Sequence, residues 1–220
     1  MLTAIHIIES LSSVGGTPRK LLYLSRYNDY SRCKLIFVLY MPSYLQKEFE
    51  ENGAIVINLN SASPLAVVLR LNRIVKDSRA DVICTHFVRP LIVGTIVSKL
   101  RNIPLVHNEH SSVKYRKGFS AFLCKLVLPY AARIICNSQY TRDSVFSNYR
   151  LDSANTIVLY NPVEPRLPKL PADIVRRNLS IPLEARLIGH VGGMIPQRDQ
   201  KTLIEAVSIL KAKYGDIKLI

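Results

Sequence analysis

Ile188-Gly-His-Val-Gly-Gly-Met-Ile-Pro-Gln-Arg198-Asp-Gln-Lys-Thr-Leu-Ile-Glu205-Ala-Val-Ser-Ile-Leu210 decides how the whole chain is read. A short apolar run, a loop carrying glycines, and an amphipathic stretch follow one another, which is the pattern of strand, loop and helix. The sequence then closes on Ile217-Lys-Leu-Ile220, read as the next strand. An alternating α/β unit is opened here, and the expectation is a second domain of which residues 185–220 form a truncated start.

Just upstream, Asn161-Pro-Val-Glu-Pro-Arg-Leu-Pro-Lys-Leu-Pro171 holds four prolines, where neither a regular helix nor a central strand can run. The prolines divide the chain into a first domain over residues 1–163 and a linker with a short helix (Ala172–Asn178) over 164–184. Within the first domain, apolar runs at Ala4–Ile8, Lys34–Tyr40, Ile55–Leu59, Val82–Thr85, Leu105–Asn108, Arg133–Cys136 and Thr156–Leu159 read as strands, with helical patterns between most of them. Leu65–Lys76 is the clearest helix, with Val67, Leu71, Ile74 and Val75 on one face. Thr17-Pro18 is read as an N-cap followed by proline at the first helical position, and Ser138 as a second N-cap. Alternating strands and helices predict an α/β fold: a Rossmann-like, doubly wound parallel sheet, followed by an incomplete second Rossmann-like domain.

Lysine and arginine outnumber aspartate and glutamate 30 to 16 in 220 residues, a formal charge of +14. Such an excess asks for an anionic partner. The charge is spread along the chain, and no helix-turn-helix, RNP or zinc-finger pattern accompanies it, so nucleic acid is not the expected partner. Cys33, Cys84, Cys124 and Cys136 lie far apart without a C-x-x-C pair, the usage of free thiols in a reducing compartment. The N-terminus lacks a basic leader, and the longest apolar helix candidate, Phe119–Ala132, is interrupted by Lys125 and Pro129 and too short for a membrane span. The expected location is cytoplasmic, with peripheral contact at the inner face of the membrane.

Several stretches carry chemistry. Gly15-Gly16-Thr17-Pro18 follows the first strand and opens a helix, whose free N–H groups suit a phosphate; the plainer alternative is a tight turn. The spacing is not G-x-G-x-x-G, so the dinucleotide fingerprint is absent. His86 ends a strand in Asp81-Val-Ile-Cys-Thr-His86, and His110 follows another in Val106-His-Asn-Glu109-His110. Carboxyl ends of parallel strands are where ligands bind, so both histidines and Glu109 are candidates for a cleft; the alternative for either histidine alone is a capped core residue. Gly193 and Arg198 flank the second loop, where an arginine can clamp a diphosphate or simply be solvated. No metal is expected: Asp-x-Asp, H-E-x-x-H and His/Cys quartets are all missing, as are G-x-S-x-G and the P-loop.

Taken in order, Gly15-Gly16, the Asp81–His86 stretch, His110 with Asn137-Ser138-Gln-Tyr-Thr141 beyond it, Leu159-Tyr-Asn161-Pro-Val-Glu164, and Val191-Gly-Gly-Met-Ile-Pro-Gln-Arg198 resemble glycosyltransferase family 4, of GT-B fold. The resemblance implies two Rossmann-like domains across a cleft. It implies retaining, metal-independent transfer of a sugar from a nucleotide diphosphate sugar, as co-substrate rather than cofactor, to a glycan or lipid-linked acceptor. By the same resemblance, His110 contacts the transferred sugar and Gly15 and Gly16 lie near the donor phosphates. Arg198 stands where the family carries a lysine, and His86, Glu109, Asn161 and Gly193 fall in motif positions of the cleft. Gly193 departs from the family, which carries arginine there. That departure and the early end of the chain keep a second reading open, a non-catalytic acceptor- or membrane-binding module.

Overall fold

The computed structural model describes residues 1–11, 15–61, 63–111, 113, 116, 118–149, 151, 153–165, 167–194 and 198–220. Residues 195–197 of the second glycine loop and residue 166 of the proline-rich stretch lie outside the described residues. The chain forms two compact units, Met1–Val163 and Glu164–Ile220.

In the first unit the elements are β1 (Leu2–Ile8), α1 (Gly16–Tyr27), β2 (Cys33–Leu39), α2 (Gln46–Glu51), β3 (Ile55–Asn58), α3 (Pro64–Asp77) and β4 (Val82–His86). They continue with α4 (Val88–Arg101), β5 (Leu105–Glu109), α5 (Gly118–Val127), β6 (Arg133–Cys136), α6 (Gln139–Tyr149) and β7 (Thr156–Val158). The strands form one seven-stranded sheet in the order β3-β2-β1-β4-β5-β6-β7, every pair parallel. The chain builds outward from β1 to β3, then returns to the other flank of β1. That reversal opens a crevice at the carboxyl ends of β1 and β4, where doubly wound sheets bind ligands.

Alternation along each strand gives two cores. On one face Ala4, Ile8, Leu35, Phe37 and Leu39 pack with Leu21 of α1 and Phe49 of α2. On the other, Ile5, Ile7, Ile83, Leu105 and Ile134 pack with Val67 and Leu71 of α3, Leu91 and Val97 of α4 and Val145 of α6. Fully burying each such side chain contributes roughly 1.5–3 kcal/mol. The α3 stripe expected from the sequence is the one buried: Val67, Leu71 and Val75, with Ile74 packed at its edge. Gly94 lets α4 lie against the sheet, since a Cβ there would meet Thr85 Cγ2 at 2.5 Å. On the first face, past β1, Cys84, Val106 and Ile135 are only half-buried, and Ile157 is 46% exposed.

Some local readings are corrected. Thr17 is not a cap: α1 begins at Gly16, with Gly15 in extended conformation as its cap and no side-chain bond. Pro18 therefore sits in the first turn, where its missing N–H costs nothing. The apolar run at 119–132 ends as helix at Val127, and Leu128–Tyr130 tightens to a 3-10 turn at Pro129. Ser138 does cap α6, its Oγ accepting from Thr141 N at 3.1 Å.

The second unit holds α7 (Ala172–Asn178), β8 (Arg186–Ile188), α8 (Gln200–Tyr214) and β9 (Ile217–Leu219), with β8 and β9 parallel. The strand expected at 187–191 is shorter, though His190 N still donates to Ile220 O at 2.8 Å. Asp199 caps α8, accepting from Thr202 N and from Thr202 Oγ1. Of the α8 residues only Val207 is buried.

Candidate functional site

His6 is a polar residue in the otherwise apolar run Ala4–Ile8 of β1, beside Cys84 of β4 in register and stacked on Phe37 at 5.1 Å. His86 closes β4 and His110 follows β5. The three imidazoles meet end to end: His6 Nδ1 lies 3.1 Å from His86 Nε2, and His86 Nδ1 lies 2.9 Å from His110 Nε2. Successive rings stack at 5.4 and 5.2 Å. His6 and His86 are buried. Burial, joined by the charge of Lys20, pushes the His6 ring down to about 4. Burial and the neighbouring rings push His86 well below the usual range. His110 also falls to about 4, chiefly by burial and Lys20, against the opposing pull of Glu109. All three rings are neutral at pH 7.

His110 is fixed by its backbone as well. Its N–H donates to Glu109 Oε1 at 3.1 Å, and its carbonyl accepts from Asn137 Nδ2 at 2.9 Å. Asn137 Oδ1 in turn accepts from Thr141 Oγ1 at 2.8 Å, which ties the turn to the capped start of α6. The Asn-Ser-Gln-Tyr-Thr stretch thus anchors the histidine. Phe87, between β4 and α4, has φ 70° and ψ 175°, a backbone region that only glycine enters freely. The turn sets its ring 5.4 Å from His110.

Glu109 is not in the cleft. Its strand neighbour Asn108 lines the pocket described below, so by alternation Glu109 faces the opposite side, where it is 2% exposed. Arg116 Nη2 pairs with its Oε1 at 2.7 Å, and Ser111 N approaches the same oxygen at 3.4 Å. His107 Nε2 stands 3.6 Å from Oε2, long for a hydrogen bond, while its Nδ1 meets Thr85 Oγ1 at 2.9 Å. Burial raises the carboxyl, but His107 and Arg116 outweigh it and hold it down to about 2. Glu109 is a buried anion that shapes the turn beneath His110.

Beside the histidines lies a pocket of about 430 Å³ within the first unit. His6, His86 and Asn108 form part of its floor; Lys20, Tyr23 and Tyr27 of α1 line it, as do Leu159, Tyr160 and Pro162. Burial lowers the Lys20 ammonium. Asn161, between two lining residues, has a buried Oδ1 with no partner among the described residues. Gly15 and Gly16 stand at the same carboxyl edge of the sheet. The first turn of α1 carries no acidic side chain, and a Cβ on Gly16 would meet nothing within 4 Å. Packing therefore does not demand glycine at 16, which leaves the helix start open to an anion.

In the second unit Arg198 and Gly193 are both exposed, and Gln200 Nε2 donates to Gly193 O at 2.8 Å. The structure thus joins His86 to His110, sets Glu109 beneath them, and presents the second glycine loop on its own unit. Sequence reasoning missed His6, Lys20, Arg116 and His107. For His6 the available signal was a polar residue inside an otherwise apolar run, Ala4-Ile-His-Ile-Ile8.

Comparison with known proteins gives a consistent result. The profile of Glycosyltransferase Family 4 matches residues 14–167. A D-inositol 3-phosphate glycosyltransferase of Thermobispora bispora is 24% identical over 166 residues, covering 70% of this chain and 39% of that protein. The crystal structure of a glycosyltransferase from Rickettsia africae superposes with a TM-score of 0.78 at 17% identity, covering 96% of this chain and 58% of its own. Anabaena Alr3699/HepE in complex with UDP and glucose also gives 0.78, at 18% identity, with 100% of this chain and 60% of its own covered. These superpositions establish the fold, a Rossmann-like α/β architecture of GT-B type. The chain spans less than two thirds of the length of each of these relatives.

Proposed function

The chain belongs to Glycosyltransferase Family 4, and on that premise we propose that it serves transfer of a sugar from a nucleotide diphosphate sugar to a glycan or lipid-linked acceptor, with retention and without a metal. The observation that carries the reading is His110: a neutral imidazole at the carboxyl end of a central strand, locked by Asn137 and Glu109, with Nδ1 buried and unpartnered among the described residues. A neutral ring suits a hydrogen bond to a sugar oxygen, where an imidazolium would repel the positive charge that develops on the sugar in transfer. The departing diphosphate needs positive potential. In this reading the start of α1 at Gly15-Gly16 supplies it, and Arg198, carried by the second unit, is proposed by itself as a charge-assisted clamp.

The pocket supports an acceptor with an apolar part. Its size fits a small-molecule site, its walls are largely tyrosine, leucine and proline, and Lys20 is the one lysine or arginine among its described lining residues. With the formal charge of +14, a location at the inner face of an anionic membrane follows as part of the proposal. No described helix is long and apolar enough to cross a membrane. Gly193, exposed and without a side chain where an arginine clamp would stand, favours the second reading, an acceptor- or membrane-binding module without transfer.

The test is a donor panel. The complete protein, given UDP- and GDP-sugars with chelator present, should release nucleoside diphosphate, and His110→Ala should slow release at least tenfold with the fold unchanged. Binding of acceptor or anionic vesicles with no release from any donor would favour the module. Full turnover by His110→Ala would remove this histidine from the reaction.

A further inference from the structure

A neutral imidazole carries one N–H and one bare nitrogen, so it donates at one edge and accepts at the other. Two N···N contacts in series, His6 Nδ1 to His86 Nε2 at 3.1 Å and His86 Nδ1 to His110 Nε2 at 2.9 Å, then admit only two arrangements. Either every N–H points from His6 toward His110, or every one points back. Any mixture sets two protons or two lone pairs face to face inside the protein. The tautomer of His110 is thereby decided by His6, a residue with which it shares no hydrogen bond.

Lys20 selects between the two. It lines the same pocket as His6 and His86, and His110 is not among the described lining residues, so the charge stands toward the His6 end of the series. A cation beside one end of a dipolar series turns the N–H groups away from itself. His6 Nε2 is left bare, both linking protons point toward His110, and the last N–H falls on His110 Nδ1. That nitrogen, buried and without a partner among the described residues, is the donor end of the series.

We propose that His6 and His86 are positioning residues that hold His110 in its Nδ1–H tautomer, making its free edge a hydrogen-bond donor to an oxygen of the bound sugar. The identity of that oxygen rests on the sugar-transfer reading above; the tautomer does not. Phe87 fits the same purpose, since its strained turn lays an aromatic ring beside His110. A histidine free in water prefers the Nε2–H form, so the assignment is distinctive.

Long-range proton–nitrogen NMR of the complete protein, labelled in histidine, reads each tautomer. His110 is expected as Nδ1–H. His6→Phe keeps an aromatic ring against Phe37 but removes the donor, and Lys20→Met removes the charge; both should move His110 toward Nε2–H. Lys20→Arg should keep Nδ1–H. Transfer by His6→Phe should lose about tenfold in kcat, the worth of one hydrogen bond, with KM for acceptor little changed. An Nε2–H His110 in the unaltered protein overturns the proposal. So does a His110 tautomer indifferent to Lys20→Met, a half-exposed substitution that bears on the question even if His6→Phe misfolds. If the tautomers respond as stated but His110→Ala turns over at full rate, the sugar reading falls and the tautomer assignment stands.

Discussion

Two regions flagged by their chemistry are built in opposite ways: the paired turns after β4 and β5, and the loop after β8. At the ends of β4 and β5, His86, His107 and Glu109 are each 2% exposed or less, and each group leans on the next. At the end of β8, Gly192, Gly193 and Arg198 are all exposed, and the described contacts are few. The first is organised before any ligand arrives. The second presents exposed charge with few described contacts. Substitutions in the first should therefore act on stability and geometry together, and those in the second on binding alone.

The largest expected effect tests the first half of that contrast. Glu109→Ala leaves Arg116, whose side chain is 14% exposed, without its carboxylate, and removes the acceptor for His110 N–H. Breaking one side of a buried pair costs about 3–5 kcal/mol. Chemical denaturation should show a loss of that order, along with loss of transfer. A loss below ~1 kcal/mol would mean that the turn is not held from beneath.

Next in size is Gly94→Ala. Its Cβ would fall 2.5 Å from Thr85 Cγ2 and 3.2 Å from Leu105 Cδ1, so α4 or Thr85 must give way. Overpacking of this kind costs roughly 1–3 kcal/mol. Thr85 holds His107, so the displacement should reach the turn as lowered activity beyond what the stability loss explains. Unchanged melting would show slack where the structure has none.

Acid should separate the two regions more gently. The His6 and His110 rings are held near 4 in the fold, below their ordinary 6.5. Between those values the unfolded chain binds protons that the folded chain refuses, so stability is full above pH 6.5 and falls as pH drops toward 4. The slope is about 1.4 kcal/mol per pH unit for each ring that stays neutral. Glu109, held at about 2 against 4.5, adds a second loss as pH falls from 4.5 to 2. His6→Phe should flatten the upper window and leave the lower one. An identical profile in that variant would deny the first histidine its buried neutral state.

How much of this was legible in the sequence divides along the same line. The α/β alternation, the stripe of α3 and the Ser138 cap followed from local spacing, because periodicity reports which face is buried. The carboxyl-end positions of His86 and His110 followed too, since they close apolar runs. The partnership of His6 with His86 did not, because it spans 80 residues and exists only once β4 returns beside β1. Glu109 was placed in the cleft because proximity along the chain to His110 hides the alternation that sends adjacent strand residues to opposite faces. Thr17 was misread as a cap because its side chain is a good one; the glycine pair before it lets the helix start earlier, with no side chain needed.

The exposed turn yields the smallest expected change in stability. A Cβ on Gly193 would meet nothing within 4 Å, and φ there is not in the left-handed region that favours glycine. Gly193→Arg should therefore leave unfolding within about 0.5 kcal/mol of the unaltered protein. The same substitution supplies the arginine that the resemblance read from the sequence implies at this place. If the loop meets the donor diphosphate, the new guanidinium should add one charge-assisted contact of about 1.5–3 kcal/mol, or at least tenfold in donor affinity by calorimetry. Arg198→Ala should lose a similar factor, again without a change in melting. Both effects should shrink in high salt, because exposed charges are screened. Donor affinity indifferent to both substitutions would detach this loop from the diphosphate and leave the contrast between the turns as one of packing alone.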